Sequence, residues 1–385
     1  MSSNTAAWLP SKNSSPLDIK PAPSPPSPPP ANFLVIKSQA VAINPVDWFI
    51  QSPGNPLFSY LRYPVILGSD VAGTVVRSSS HLFVPGDRVV AHAFGTDRRS
   101  NSSAEGAFQE YVLVREHLVA RIPDHVRFEQ AAVLPLGFST AATALFLGRD
   151  QGGLGLALPT SPRGDDKNQV VIVWAGATSV GSNAIQLARA GGYEVYTTAS
   201  AGNWEHVRRL GAAEVWDYKS ESVVGDMIGK LKSENKVCAG AVAIGAGALP
   251  RCIDILGGSR TVEGQPKFVS QVSGSKDPGE FLGLGAFGMV KLVVDMVWAG
   301  ITTVAKAKIK GVGYKFIWGS DIGDDKNKDV AKAIWNVYLA QALGKGEFVP
   351  SPEPQVVEGK GLEKIQEGFD TCKKGVSAAK VVVLV

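Results

Sequence analysis

The chain is poor in cysteine and histidine, with three and five among its 385 residues. The cysteines are far apart and odd in number, which argues against a disulfide framework and favours a reducing compartment. The histidines show no paired metal-ligand spacing, so their ordinary interpretation is as surface or core side chains. The composition therefore does not point to a metal centre or to a disulfide-stabilised secreted domain.

The chain also has little excess of positive over negative charge. The formal net charge is only +4, and no basic cluster interleaved with aromatics predicts nucleic-acid binding. The first ten residues contain no charged segment followed by an apolar core, so we expect no signal peptide and a cytoplasmic protein. Residues 281–305 are apolar, but Lys291 and Asp295 interrupt them, which favours a buried or lid helix over a membrane span.

The chain does have length and apolar content, and with 44% hydrophobic residues it can fill the cores of two domains. Residues 1–30 end in S-P-P-S-P-P-P. This tract predicts a rigid surface turn between the first two strands, with a docking site for a proline-recognition module as the alternative. Residues 33–135 show short strands separated by turn residues, which predicts a compact, barrel-like β domain.

From about Gly137 the pattern alternates between helix and strand, which predicts a doubly wound parallel sheet. The predicted strands are residues 170–173, 193–198, 214–218, 240–244, 267–272 and 314–318. The tail reads as helices over 330–344 and 361–373 and a final strand over 380–385. We expect a first domain of residues 1–136, completed by the tail 321–385, and a second domain of residues 137–320.

The most informative local pattern is V-V-I-V-W-A-G-A-T-S-V-G at residues 170–181, followed by helical apolar spacing. Such a strand–turn–helix lets the backbone approach a pyrophosphate, whose charge the helix amino terminus stabilises. The positions that usually hold three glycines hold Ala175, Thr178 and Gly181, so an ordinary α/β turn is the alternative. We expect a dinucleotide in the cleft between the domains, where the strand order reverses.

The second strand of this unit ends in T-T-A-S at residues 197–200. It lacks the acidic residue that binds the ribose 2′-hydroxyl in NAD-preferring folds. A carboxylate would repel a 2′-phosphate, whereas hydroxyls, amides and cations bind it. Ser200 and Asn203, helped by Arg208 or Lys219, suit that role, so NADPH is predicted. Alternatively, Ser200 only caps the following helix.

Several motifs in order resemble the medium-chain dehydrogenase/reductase superfamily. They are A-I-N-P-V-D-W, G-S-D-V-A-G-T-V and G-D-R-V in the β domain, then L-G-A-x-x-V-x-D-Y and K-K-G-V-S-A-A-K. The resemblance covers nearly the whole chain. It is similar to the zinc-free quinone-oxidoreductase and enoyl-reductase branch, including fungal zinc-binding-dehydrogenase-like proteins and trans-acting enoyl reductases. It implies an α/β protein with a GroES-like β-barrel domain and a Rossmann domain.

The resemblance also bears on metal. Zinc-dependent relatives have Cys where this chain has Asn44, and a His-Glu pair where it has Ser69 and Asp70. Catalytic zinc needs about three Cys, His or acidic ligands, so a site without metal is implied. The structural zinc lobe of those relatives needs four clustered cysteines, and residues 92–115 contain none.

For activity, the resemblance implies a fungal secondary-metabolism enzyme that moves hydride from NADPH to an enone, an enoyl thioester or a quinone. The site would stabilise negative charge on the carbonyl oxygen and let a proton reach the α-carbon. A narrower alternative is a trans-acting enoyl reductase that partners a polyketide synthase. Another is a non-catalytic NADPH-binding module. Either a monomer or a homodimer is compatible with the family.

Four positions carry the catalytic predictions. Thr140 is expected near the nicotinamide or the substrate carbonyl, or else as a helix-capping hydroxyl. Asn44 either orients substrate or water, or holds the turn that follows it. Tyr63 donates a proton or only packs. Many fungal relatives have Lys where this chain has Phe49, so a lysine-assisted mechanism is in doubt.

The resemblance also implies a set of cofactor contacts, and it leaves the long segment 278–310 open as a lid, a packing insertion or a dimer contact. Asp47 is expected to be structural or close to the cofactor. The other predicted contacts are Ala177, Thr178, Ser179 and Val180 at the pyrophosphate, Ser200 and Asn203 at the 2′-phosphate, Tyr218 at the adenine ribose, and Thr140, Val272, Val376 and Ser377 at the nicotinamide end.

Overall fold

The structure is a computed structural model that describes residues 3–52, 56–164 and 168–385. The chain divides into two compact units, residues 1–137 with 323–385 and residues 138–322. These limits lie close to the expected ones. We call the two parts the first and the second unit.

In the described residues the strands are β1 (Asn4–Leu9), β2 (Asp18–Ala22), β3 (Phe33–Ala42), β4 (Val65–Ile66), β5 (Asp70–Ser78), β6 (Arg88–His92), β7 (Tyr111–Arg115), β8 (Val119–Arg121), β9 (Gln169–Val173), β10 (Glu194–Thr198), β11 (Glu214–Trp216), β12 (Val237–Ala243), β13 (Lys267–Gln271), β14 (Val312–Phe316), β15 (Glu353–Lys360) and β16 (Ala379–Leu384). The α-helices are α1 (Pro45–Gln51), α2 (Phe128–Ala131), α3 (Pro135–Phe146), α4 (Ser179–Ala190), α5 (Trp204–Arg209), α6 (Val223–Ser233), α7 (Ala248–Gly258), α8 (Ala286–Lys310), α9 (Lys328–Lys332), α10 (Ala340–Lys345) and α11 (Ile365–Lys374).

The first unit is built on a seven-stranded sheet in the order β15-β16-β3-β5-β6-β8, with β7 also paired to β3. A smaller sheet has the order β2-β1-β4. The ten-residue β3 pairs antiparallel with β5, β7 and β16, so it anchors the unit. Its apolar side chains join a core that includes Phe108 and Phe369, where each fully buried apolar side chain stabilises the fold by roughly 1.5–3 kcal/mol.

The second unit carries a six-stranded sheet in the order β11-β10-β9-β12-β13-β14, and all its pairs are parallel. The central strands β9 and β12 are nearly continuous apolar runs, as expected where a parallel sheet is covered on both faces. Read across the sheet, these are the third, second, first, fourth, fifth and sixth strands of the unit along the chain. This is the doubly wound dinucleotide-binding order, with the reversal between β9 and β12. The predicted fold class is therefore confirmed.

At the ends of the chain the structure corrects one expectation and adds detail to two others. Strands β1 and β2 precede the proline tract, so it lies between the second and third strands rather than the first two. The tail does join the first unit through β16, but it also contributes β15, which the sequence pattern did not show. The helix expected over 330–344 is divided by a π-helical stretch at Ala333–Leu339.

Of the two alternatives predicted for 281–305, a buried or a lid helix, the buried one was wrong. The segment forms α8, whose outward face is apolar and exposed. Its residues Phe287–Lys310 are long and apolar enough to cross a membrane by length and composition, and only 6% of the most apolar window is buried. A helix that only packs on a core has apolar side chains on one face. The apolar side chains of α8 point away from the unit as well as towards it, so packing on its own unit does not account for all of them.

Candidate functional site

The turn after β9 has the geometry of a dinucleotide loop. Ala175 takes a left-handed conformation with φ of 65°, which is unusual for a residue with a Cβ and explains why glycine is common there. A Cβ on Gly176 would lie 2.2 Å from Thr197 Oγ1, and one on Gly181 would lie 2.3 Å from the Ala175 carbonyl oxygen. Both glycines are therefore required by close approach, although sequence reasoning had singled out only Gly181.

The turn is tied to the end of β10 and opens directly into α4. The Ala175 N–H donates to Thr198 Oγ1 at 3.0 Å, and Thr178 caps the helix by accepting from the Gly181 N–H at 3.1 Å. The Ser179 hydroxyl in the first turn is buried and has no hydrogen-bond partner in the described part of the chain. A buried hydroxyl without a partner, beside the free N–H groups of a twelve-residue helix, fits a phosphate oxygen.

The predicted 2′-phosphate residues lie together after β10. Asn203 Nδ2 donates to Ser200 Oγ at 3.1 Å. Ser200 sits at the N-terminal boundary of a short 3-10 helix, but its side chain caps no backbone N–H there. Arg208 lies over the Trp204 ring at 5.6 Å, and Lys219 lies over the Tyr218 ring at 5.9 Å. The end of β10 thus presents a hydroxyl and an amide with no carboxylate between them.

In the first unit, three side chains from distant parts of the sequence form a buried polar cluster. The Lys380 ammonium lies 2.6 Å from Asp70 Oδ2 and donates to Asn44 Oδ1 at 2.7 Å. Asn44 Nδ2 donates to the same Asp70 oxygen at 2.9 Å. The exposed fractions of the Lys380 and Asp70 side chains are 4% and 0%. We call Asn44, Asp70 and Lys380 the ammonium cluster.

Short local contacts fix this cluster in place. Asn44 precedes α1, and its backbone N–H donates to Asp47 Oδ2 at 2.8 Å. The other Asp70 oxygen accepts from the Leu136 N–H at 2.6 Å. Asn44 therefore both starts α1 and binds the ammonium cluster. The role of Asn44 as a donor to substrate stays a prediction.

Two further titratable groups, Asp47 and His92, lie in this buried region and affect its charge balance. Burial, helped by repulsion from Asp70, raises the pKa of Asp47 to about 7, although Asn44 and Lys380 oppose the shift. Burial also lowers the pKa of His92, which faces Asp70 across β5 and β6, to about 4. His92 is thus neutral at pH 7. One ammonium serves two carboxylates, so one carboxyl keeps its proton over part of the physiological range.

Lys380 and His92 were not among the predicted site residues. Both interrupt apolar strand patterns, in A-A-K-V-V-V and R-V-V-A-H-A. A polar residue on the buried face of such a strand is the signal that could have found them, because it must have a partner.

The remaining predicted residues occupy varied environments. Thr140 is buried inside α3, past its first turn, so the helix-capping interpretation was wrong. Tyr63 packs against the first unit's core together with Phe49, and burial raises the pKa of the Tyr63 phenol. The others are placed as follows: Ala177 in the turn, Val180 in the first turn of α4, Val272 directly after β13, and Val376 and Ser377 before β16.

Among the described residues, no group of three or more His, Cys, Asp or Glu side chains is placed to hold a metal ion. Asn44 and Asp70, at positions that the resemblance assigned to the zinc ligands of relatives, both bind Lys380. The three cysteines are free thiols, two of them buried.

Comparison with known proteins supports the fold from sequence as well as structure. Residues 30–124 match the alcohol dehydrogenase GroES-like domain. The dehydrogenase pigH of Monascus ruber is 45% identical over 388 residues, covering 100% of both chains. The trans-enoyl reductase himH of Aspergillus japonicus is 37% identical, covering 99% of this chain and 97% of its own.

Solved structures show the same fold. An alcohol dehydrogenase superfamily protein from Novosphingobium aromaticivorans superposes with a TM-score of 0.71 at 21% identity, covering 99% of each chain. The CurK enoyl reductase superposes with a TM-score of 0.68 at 16% identity, again over 99% of each chain. With its GroES-like domain, its dinucleotide-binding sheet and its full-length fungal relatives, the chain belongs to the medium-chain dehydrogenase/reductase superfamily of oxidoreductases.

Proposed function

We propose that the protein is a zinc-independent, NADPH-dependent reductase whose hydride acceptor is the activated C=C bond of an enone or enoyl thioester, or a quinone. The observation that carries this proposal is the ammonium cluster. It holds a buried internal cation at positions that the resemblance assigns to the metal ligands of zinc-dependent relatives. The oxidoreductase chemistry comes with the superfamily, and the cluster supports the zinc-independent branch of it.

The residues at these positions do not suit zinc. The Asn44 amide oxygen and the Asp70 carboxylate are engaged by the Lys380 ammonium at 2.7 and 2.6 Å. A divalent cation among the same oxygens would be repelled by that ammonium, and the repulsion would be strong because the surroundings are buried. Neutral amide and hydroxyl groups are also poor substitutes for the usual zinc ligands.

NADPH supplies the hydride when bound. The chain's own residues would hold its phosphates: the backbone of the turn at Ala175 to Thr178, the Ser179 hydroxyl, and Ser200 with Asn203 at the 2′-phosphate. The hydroxyl and amide pair can bind a phosphate without the charge repulsion that a carboxylate would add.

Reduction of a conjugated C=C bond places negative charge on the carbonyl oxygen, so the site must offer a hydrogen-bond donor there. We assign this donor to the Thr140 hydroxyl, with Tyr63 as the candidate proton source. A neutral donor is sufficient because the accepting oxygen becomes an enolate, a weaker base than an alkoxide.

The proposed reaction is tested by measuring turnover of enones, enoyl thioesters and quinones with NADPH and NADH in parallel, together with the metal content of the purified protein. We expect NADPH-dependent turnover of at least one acceptor class and no stoichiometric zinc. Stoichiometric zinc with turnover of a simple alcohol would contradict the proposal. So would tight NADPH binding without turnover of any acceptor, which would favour a non-catalytic module.

The cofactor preference is tested by Asn203→Asp, which puts a carboxylate in place of the amide that donates to Ser200 Oγ at 3.1 Å. We expect the Kd for NADPH to rise at least tenfold, about 1.4 kcal/mol, with little change for NADH. Ser220→Ala, an exposed change after β11, is the control. Equal effects of Asn203→Asp on both nucleotides would contradict the assignment.

The assignment of Thr140 is tested by comparing Thr140→Ala with Thr140→Ser on the best acceptor. We expect the alanine variant to lose kcat and the serine variant, which keeps the hydroxyl, to retain most of it. Unchanged turnover in the alanine variant would remove Thr140 from the site.

A second candidate is a trans-acting enoyl reductase that serves a polyketide synthase. It is favoured by full-length similarity to proteins described as trans-enoyl reductases, himH among them. A carrier-bound enoyl thioester would then be reduced with a much higher kcat/KM than the same chain on a small thiol. Equal kcat/KM values for the two substrates would count against this candidate.

A further inference from the structure

The outward face of α8 carries an exposed apolar row. The exposed fractions are 85% for Phe287, 63% for Val290, 60% for Val294, 57% for Val297, 57% for Ile301 and 43% for Val304. We call these six residues the seam. The opposite side of the helix packs on its own unit, where Leu292 and Ala307 are buried. An exposed apolar row of this size marks an interaction surface.

The spacing of the seam indicates a helical partner. Its residues recur at alternating intervals of three and four, the a and d positions of a heptad repeat. Val293 and Trp298, also exposed, flank the seam on either side. Lys308 falls on the next a position and ends the apolar row, which limits the contact to about five helical turns.

The seam is complementary to itself when a second copy runs antiparallel. In antiparallel helix pairs an a residue packs against a d residue of the partner. A twofold axis passing between residues 295 and 296 puts Phe287 opposite Val304, Val290 opposite Ile301, and Val294 opposite Val297. Every seam residue then finds an apolar partner. We propose that the seam is the interface of a homodimer formed by two antiparallel α8 helices.

The size of the surface is sufficient for this assembly. Covering the seam and its two flanking side chains would remove on the order of 800 Å² per copy from water, the amount that a specific interface usually needs. A twofold contact of one surface with itself closes as a dimer and does not continue into a chain of copies.

The charges around the seam favour a second copy over a membrane surface. Helices that lie on membranes carry lysine and arginine across a free polar face. Here Lys306 and Lys310 bind Asp254 of α7 at 2.6 and 3.3 Å, so these two lysines face their own unit and do not border the seam. In the antiparallel pair, Lys291 lies beside the second copy's Trp298, an arrangement that suits a cation–π contact.

The interface is tested by measuring the mass of the full-length protein in solution over a micromolar concentration range. We expect twice the chain mass of 40.6 kDa for the wild type. Val294→Glu places a charge at the centre of the contact and should yield the monomer. Thr302→Glu, an exposed change on the same helix off the seam, should remain dimeric. Circular dichroism checks that both variants are folded.

The register is tested by mixing two charge variants. Val294→Glu and Val297→Lys should each be monomeric alone, and an equimolar mixture should restore the dimer because residue 294 of one copy faces residue 297 of the other. Val294→Glu mixed with Ile301→Lys, which are not opposed in this register, should restore it much less. Equal rescue by both mixtures would overturn the antiparallel register.

Two results would overturn the dimer itself. One is a wild-type protein that keeps the chain mass at all concentrations, and the other is a Val294→Glu variant that is still dimeric. A monomeric wild type that sediments with phosphatidylcholine–phosphatidylserine vesicles, and loses this property in Val294→Glu, would assign the seam to a membrane surface instead. These readouts use no substrate, so they are independent of the proposed reaction.

Discussion

The dinucleotide turn and the ammonium cluster are both polar sites set in apolar surroundings, but they are built in opposite ways. The turn is made by residues 174–181 and the neighbouring end of β10, and its shape follows from backbone sterics at Ala175, Gly176 and Gly181. The ammonium cluster joins side chains that are up to 336 positions apart. The first site is encoded locally, whereas the second exists only when the first unit is complete.

The difference has an energetic counterpart. Sterics at the turn determine whether a ligand can approach, so changes there should affect binding more than stability. The ammonium cluster holds charges in a buried place, where each charge depends on its partner. Changes there should affect stability first. The predictions below separate the two sites on this basis.

The largest effect is expected from Lys380→Met, which leaves the Asp70 carboxylate buried without its cation. We expect the free energy of unfolding, measured in urea, to fall by about 3–5 kcal/mol. Lys364→Met, which removes an exposed ion pair with Glu367, should cost less than about 1 kcal/mol. The double variant Asp70→Asn/Lys380→Met should lose less unfolding free energy than the two single variants lose together. Strictly additive losses would show that Asp70 and Lys380 are not coupled.

At the turn, Gly181→Ala puts a methyl group 2.3 Å from the Ala175 carbonyl oxygen and must displace the loop. We expect the Kd for NADPH, followed by nucleotide fluorescence, to rise at least tenfold, about 1.4 kcal/mol. Gly229→Ala in α6 meets no atom within 4 Å and serves as the matched control, with unchanged affinity. A turn variant that binds normally would remove this loop from the cofactor site.

The pH dependence of stability isolates Asp47. Its pKa is raised from 3.8 to about 7, chiefly by burial, so the folded state holds a proton that the unfolded state releases between these values. The wild type therefore loses stability as the pH rises through this window. Asp47→Asn has no such proton, and His92 titrates equally in both proteins.

Between pH 4 and pH 7 we expect the free energy of unfolding of the wild type to fall by at least about 1.4 kcal/mol relative to that of Asp47→Asn. This difference corresponds to one unit of pKa shift. Urea unfolding at several pH values measures the difference. Parallel stability curves for the two proteins would show that the Asp47 pKa is not raised.

The smallest effect is expected from Ala175→Gly, which relieves a left-handed conformation at a residue with a Cβ. The free energy of unfolding should rise by about 1 kcal/mol or less, with NADPH affinity changed less than twofold. Ala177→Gly, two residues along the same turn, has no positive φ to relieve and should be destabilising. If both variants had a higher free energy of unfolding, the stabilisation would come from a more flexible loop and not from relief of the Ala175 conformation.

The sequence was sufficient wherever a pattern is local. The apolar strands β3, β5 and β9, the turn at Ala175 and the amide and hydroxyl after β10 follow from period, turn chemistry and the lack of a carboxylate. The eight-residue strand β15 and the π-helical stretch at Ala333–Leu339 did not, because neither has a distinct periodicity and both depend on packing in the first unit.

By itself the sequence determined the two-domain α/β fold and the strand–turn–helix at residues 170–181, since each depends on residue type at fixed local spacing. Only the tertiary structure decided that Lys380 binds Asp70 and that α8 turns its apolar seam outward. Apolar content predicts that a helix will be covered, but which face meets its own unit depends on contacts between residues far apart in the chain.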